Sequence, residues 1–165
     1  MKKVFEIVVT VSFLLYALVL LWLLFFNLRG YWSNVSLCEY IKYATNFIPL
    51  KTIIRYINAL SNGSMNIDIP IKNLAGNLLL FMPLGFYLPF IFKNMTKIKI
   101  YSGFVAIIIL LIEVLQILTR RGRFDIDDFI LNIIGALVGF WICNHTPIRN
   151  LLKSHYKQNE NRGTP

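Results

Sequence analysis

Charge is what this sequence has least of. Only 15% of its 165 residues are Asp, Glu, Lys or Arg, where globular domains carry about 25%. With 56% hydrophobic residues and a mean hydropathy of +0.60, that scarcity excludes an ordinary water-soluble domain. Cysteine and histidine are rarer still, at two each. Cys38 falls in the first long loop and Cys143 at the far end of the last apolar stretch. The four-span topology developed below puts them on opposite sides of a bilayer, so no disulfide is expected. His145 and His155 have no carboxylate or cysteine at ligand spacing, and neither a metal nor another cofactor is expected. No internal repeat or low-complexity tract occurs. No basic stripe interleaved with aromatics marks a nucleic-acid surface. The formal net charge of +9 is therefore read as lysines and arginines that flank membrane spans and meet anionic head groups, with the lipid bilayer as the main partner.

The hydrophobicity comes in blocks. Val4–Phe26, Leu74–Phe92, Ile98–Leu118 and Asp128–Cys143 are each read as crossing about 30 Å of hydrocarbon. The fourth is the shortest and is interrupted by Asn132 and two glycines. Lys2 and Lys3 before the first block imitate a secretory signal, but the apolar core is too long. Phe25-Phe26-Asn27-Leu28-Arg29 also stands where a small-residue cleavage site would follow, so the segment reads as an uncleaved anchor. The expected fold is all-α and polytopic: a bundle of about four transmembrane helices with an interfacial amphipathic helix in the first loop. Residues 1–26 form the anchor, 27–73 an extracytoplasmic loop, 74–143 a core of three spans and 144–165 a polar cytoplasmic tail. In the loop, Leu50, Ile53, Ile54, Ile57 and Leu60 recur at helical spacing against Lys51, Arg55 and Asn58, with Pro49 suited to the first turn. A helix lying in the interface or one packing on the core both fit that pattern. Ser61-Asn62-Gly63-Ser64 ends it.

Lysines and arginines sort nine to one side and eight to the other. The nine lie mostly in short segments, where the positive-inside rule applies best, so both termini are placed in the cytoplasm. Arg120, Arg121 and Arg123 run against that assignment.

Polar residues inside the spans are the next signal, because ionisable groups at membrane depth are costly and tend to serve function. Asn73 and Asn77 share a face of the second span, where Pro83 and Gly85 should break the helix and free backbone carbonyls. Asparagines used as glue between helices are the plainer reading of that pair. Glu113 and Gln116 share a face of the third span, with Arg120 one turn beyond. Glu113 sits roughly 10 Å below the span end at about 1.5 Å per residue. A carboxylate there must be paired, wet or protonated. An ion pair with Arg120, Arg121 or Arg123 is the structural alternative to binding or proton handling. Asp125 or Asp127 can cap the last span. Asp125, Asp128 and Asn132 fall on one face, continued by Gly135 and Gly139, a spacing that lets another helix approach. A divalent cation on these aspartates lacks a second carboxylate-rich segment. The assumed topology gathers all these groups, with the loop segment Asn46-Phe-Ile-Pro49, into one pocket opening outward. The functional polar cluster is Asn77, Glu113, Gln116, Arg123, Asp125, Asp128 and Asn132, and Gly135 and Gly139 serve helix packing.

Three blocks in order make this chain similar to the VanZ-like family: Asn46-Phe-Ile-Pro-Leu-Lys-Thr-Ile53, then Asn77-Leu-Leu-Leu-Phe-Met-Pro-Leu-Gly85, then Glu113-x-x-Gln116 with Gly122-Arg123-x-Asp125-x-x-Asp128-x-x-x-Asn132-x-x-Gly135. The resemblance spans about Asn46 to Phe140; Pro49-Leu50 replaces the Pro-Phe of many relatives. It implies a small bacterial cell-membrane protein whose namesake is associated with low-level resistance to the glycopeptide teicoplanin, and it implies no chemical mechanism. The expected function is binding or exclusion of a lipoglycopeptide or a lipid-linked envelope precursor. The alternative is an intramembrane enzyme or proton-coupled transporter using Glu113 or Asp128 with Arg123, but the cluster contains no serine, cysteine or histidine to pair as nucleophile and base.

Overall fold

The computed structural model describes residues 2–26 and 35–145. These form α1 (Lys2–Phe25), α2 (Leu37–Ala44), β1 (Thr45–Asn46), α3 (Lys51–Asn62), α4 (Asp68–Leu80), α5 (Leu84–Ile91), a 3₁₀ turn (Lys93–Thr96), α6 (Ile98–Leu118), β2 (Phe124–Asp125) and α7 (Ile126–His145). Four helical stretches are long and apolar enough to cross a membrane: Lys3–Phe25, Asp68–Ile91, Ile98–Leu118 and Ile126–His145. The protein is an all-α polytopic membrane protein. The tail beyond His145, with His155, lies outside the described residues.

Two spans start earlier than the hydropathy windows indicate. The second begins at Asp68 rather than Leu74, because Asn66 caps it: its side-chain oxygen accepts from Asp68 N (3.2 Å) and Pro70 occupies the first turn. The fourth begins at Ile126 and runs to His145. A hydropathy window registers only the apolar part of such a helix, so capped polar turns fall outside it.

The second span is broken between Leu80 and Leu84, where Pro83 has no N–H to give to the Leu79 carbonyl. Met82 N bonds Leu79 O instead (3.3 Å) and Leu84 N bonds Phe81 O (3.1 Å). The freed Leu80 carbonyl accepts from Tyr16 Oη of α1 at 2.7 Å. At the break α7 comes into backbone contact. A Cβ on Gly135 would overlap the Leu78 carbonyl oxygen, and one on Gly139 that of Met82. The shortest and most interrupted of the apolar blocks is thereby the one packed closely against α4 and α5. The core beside it is built from Phe81, Tyr101, Val105, Ile109 and Ala136. Tyr101 stacks on Phe140 with centroids 4.6 Å apart and donates to Ala136 O at 2.9 Å.

Residues 35–67, between α1 and α4, fold over one end of this bundle. Ser36 and Glu39 form a reciprocal capping box at the start of α2. β1 then pairs in parallel with β2, Thr45 opposite Phe124 and Asn46 opposite Asp125, which ties the loop to the α6–α7 turn. α3 follows, and Gly63 ends it in the left-handed region (φ 66°). It buries Tyr56 and Ala59 and leaves Leu50, Ile54, Ile57 and Leu60 exposed. The helix thus docks on the bundle through one face and turns its apolar stripe away, as an interfacial helix does.

Candidate functional site

The site lies at the end of the bundle where α1 and α6 finish and α4 and α7 begin. α7 starts there because Asp125 caps it: Asp125 Oδ1 accepts from Asp127 N at 3.0 Å. The same carboxylate holds the loop, accepting from Asn46 Nδ2 (3.0 Å) and from Thr52 Oγ1 (2.6 Å). Asp127, fully buried, is not a cap of its own helix. Its Oδ1 accepts from Leu50 N (2.6 Å), and its Oδ2 from Thr52 N (2.7 Å) and Ile53 N (3.1 Å). These are the otherwise unpaired N–H groups at the start of α3, where a negative charge also meets the positive end of the helix dipole. The carboxylate also holds Leu50 in the left-handed region (φ 66°), which a residue with a Cβ rarely enters.

Between these elements lies a cavity of about 840 Å³. Every member of the polar cluster expected from sequence lines it: Asn77, Glu113, Gln116, Arg123, Asp125, Asp128 and Asn132. Asn77 Nδ2 donates to Asp128 Oδ1 at 2.5 Å, setting α4 and α7 side by side. Gln116 Nε2 donates to Leu24 O at 2.9 Å, fastening α6 to the end of α1. Glu113 is 4% exposed and Asn132 3%. The backbone N–H of Asp125 reaches the Glu113 carboxyl, yet Glu113 Oε2, Asn132 Oδ1 and Asn73 Oδ1 are buried with no hydrogen-bond partner. All three residues line the cavity. Buried acceptors of this kind are rare in folded proteins and call for an explanation.

The mouth has the opposite character. Lys51, Arg55, Lys72 and Arg123 line it and are exposed. The Arg55 guanidinium lies 5.1 Å from the centroid of the Tyr56 ring, and Lys72 pairs with Asp68 at 3.5 Å. The ion pair expected between Arg123 and Glu113 or Asp128 is not formed among the described residues. The α6–α7 turn carries the Arg123 side chain outward to solvent, while Glu113 stays five residues inside α6. Tyr40 Oη donates to Gly122 O at 2.6 Å. Burial pushes the Tyr40 phenol above its ordinary range, against the opposing pull of Arg123 and then Arg120, so the hydroxyl remains a donor at neutral pH.

Sequence reasoning brought the loop segment from Asn46 to the pocket but missed the loop side chains beyond it. Tyr40, Tyr43, Thr52 and Tyr56 line the cavity, and periodicity does not say which of them face it. Gly135 and Gly139 lie one and two turns below Asn132, buried at the α4–α5 contact. Cys38 is exposed and Cys143 is buried in α7.

Four apolar spans with a polar cavity beneath a folded loop at one end define a polytopic helical membrane protein built around an enclosed polar site. The VanZ/LLP1 family model matches residues 13–149, most of the chain, and the protein belongs to that family. No curated protein and no solved structure matches it.

Proposed function

We propose that this protein binds the polar end of an amphiphile, an acylated glycopeptide of the teicoplanin type or a lipid-linked wall precursor, and so contributes to resistance to that antibiotic class. The observation that carries the reading is the cavity. Its rim is cationic and exposed, its interior offers buried unpaired oxygens, and its wall includes Leu23 and Leu24 of α1 and Leu80 of α4. Those leucines belong to spans that meet lipid, so polar recognition and an acyl chain can be accommodated side by side. The glycopeptide part rests on the likeness to the family's namesake. The lysine and arginine distribution supports cytoplasmic termini, which would turn the cavity toward the outer leaflet, where both ligand types reside.

The test is susceptibility to an acylated and a non-acylated glycopeptide in cells expressing the wild type or Glu113→Gln at matched membrane abundance. The wild type is expected to raise the inhibitory concentration of the acylated compound several-fold more than that of the other, and Glu113→Gln to return it to the empty-vector value. No rise with the wild type would remove the resistance reading.

A further inference from the structure

The cavity's chemistry is graded from mouth to floor. The Asn77–Asp128 bond fixes a common level on α4 and α7, which both begin at the site end. Asn73 lies one turn nearer the mouth on α4 and Asn132 one turn deeper on α7, each step about 6 Å at 1.5 Å per residue. The backbone N–H of Asp125 reaches the Glu113 carboxyl, on which Asp128 and Asp125 act as like charges. The buried interior holds Glu113 Oε2 and Asn132 Oδ1, both on side chains more than nine-tenths buried and both acceptors without a partner. Glu113 makes no ion pair among the described residues. A buried carboxyl beside two further aspartates calls for a group that brings both positive charge and N–H donors. The mouth, with Lys51, Arg55 and Arg123 exposed, calls for a compact anion.

From this polarity we infer that the ligand carries a phosphate that rests at the basic rim and a protonated primary amine that reaches Glu113 and Asn132, as the headgroup of an amine-bearing phospholipid does. The inference rests on the amphiphile-binding reading above and narrows it to phosphate-bearing lipids, since an acylated glycopeptide carries no phosphate. A quaternary ammonium carries the charge but no N–H for the Asn132 oxygen. An acylated amine keeps one N–H but loses the charge that Glu113 requires. A phosphate alone leaves the floor unpaired.

The full chain, purified in detergent micelles, is titrated with four phospholipids of equal acyl chains: phosphatidylethanolamine, its N-acetyl derivative, phosphatidylcholine and phosphatidylglycerol. Binding is read from native mass spectrometry and from the melting midpoint. Phosphatidylethanolamine is expected to bind about tenfold or more tighter than each of the others, the scale of a charge-assisted hydrogen bond. Glu113→Gln should erase that advantage. Arg123→Ala should weaken all four alike. Equal binding of phosphatidylethanolamine and its N-acetyl derivative to the wild type overturns the amine assignment, and this comparison needs no variant to fold. Retention of the preference in Glu113→Gln overturns it too. If none of the four binds or shifts the melting midpoint, the amphiphile-binding reading itself falls. Mass spectrometry of lipid retained through purification separates the two sources of this chemistry, a bilayer phospholipid and a polyprenyl-linked precursor with an amine in its peptide. Retained lipid lacking either an amine or a phosphate would overturn the inference.

Discussion

Asp127 and Glu113 are both buried carboxylates within a few ångströms of the same turn, and their surroundings assign them opposite tasks. Asp127 is saturated: three backbone N–H groups from the start of α3 share its two oxygens. Asp127→Ala strands those donors and should cost on the order of 3 kcal/mol or more, read as a lowered melting midpoint in detergent and lower membrane abundance. Glu113 has an oxygen to spare. Glu113→Gln keeps its shape and most of its hydrogen-bonding capacity, so abundance and melting midpoint should stay near wild type while the resistance phenotype drops. Normal abundance with full resistance would instead shift the site's weight to Asp128 and Asn132. The difference between these acids was half legible in the sequence. Glu113, Asn77, Asp128 and Asn132 announce themselves because apolar spans have no packing reason to hold them. Asp127 does not, because capping its own helix is a sufficient local explanation, and the donors it serves lie up to 77 residues away. Arg123 misled for a related reason: charge complementarity suggested a partner in Glu113 or Asp128, and only the path of the α6–α7 turn decides that the side chain stands exposed at the mouth instead.

Among the elements, the broken second span governs how the helices meet. Pro83 and Gly85 signal the break from sequence, but the donor that satisfies the freed carbonyl had to be seen: Tyr16, from the least buried of the four spans. Tyr16→Phe should lose about 0.6–2 kcal/mol, measured as a lower midpoint in thermal unfolding with no change of helix content. The glycines of α7 are more demanding. Gly135→Val drives a side chain into the Leu78 carbonyl and should abolish the monodisperse folded peak on size exclusion. Gly103, in α6, has nothing within 4 Å of an added Cβ. Gly103→Ala is therefore expected to be neutral or stabilising by about 0.5–1 kcal/mol. A collapse of Gly103→Ala would mean that this face of α6 is covered by another helix. The α3 stripe from Leu50 to Leu60 was readable as amphipathic, yet periodicity could not say which face docks. Tyr56 and Ala59 take that part because Asp127 anchors the helix start at a fixed rotation.

For the whole molecule, the proposed orientation makes a direct experimental claim. In a background with Cys38→Ser and Cys143→Ala, an impermeant thiol reagent applied to intact cells should label Ser64→Cys, in the loop after α3, and should not label Lys97→Cys, in the turn before α6. Labelling of Lys97→Cys alone would invert the protein and turn the cavity toward the cytoplasm. Four spans and their order were legible from hydropathy blocks alone, whereas the closure of the loop over the site was not. That closure depends on a two-residue strand pair and on carboxylates of the last helix. It also has a consequence in time. The N-terminus of α3 emerges from the ribosome with no capping partner, and the carboxylate that completes it is made 75 residues after Thr52. At about 5–20 residues per second, the helix waits about 4–15 seconds during translation, held if at all by its apolar stripe at the lipid surface. Only when the last span starts to insert does the site acquire its roof, so a ribosome stalled before Asp127 leaves three spans in the membrane and no enclosed cavity.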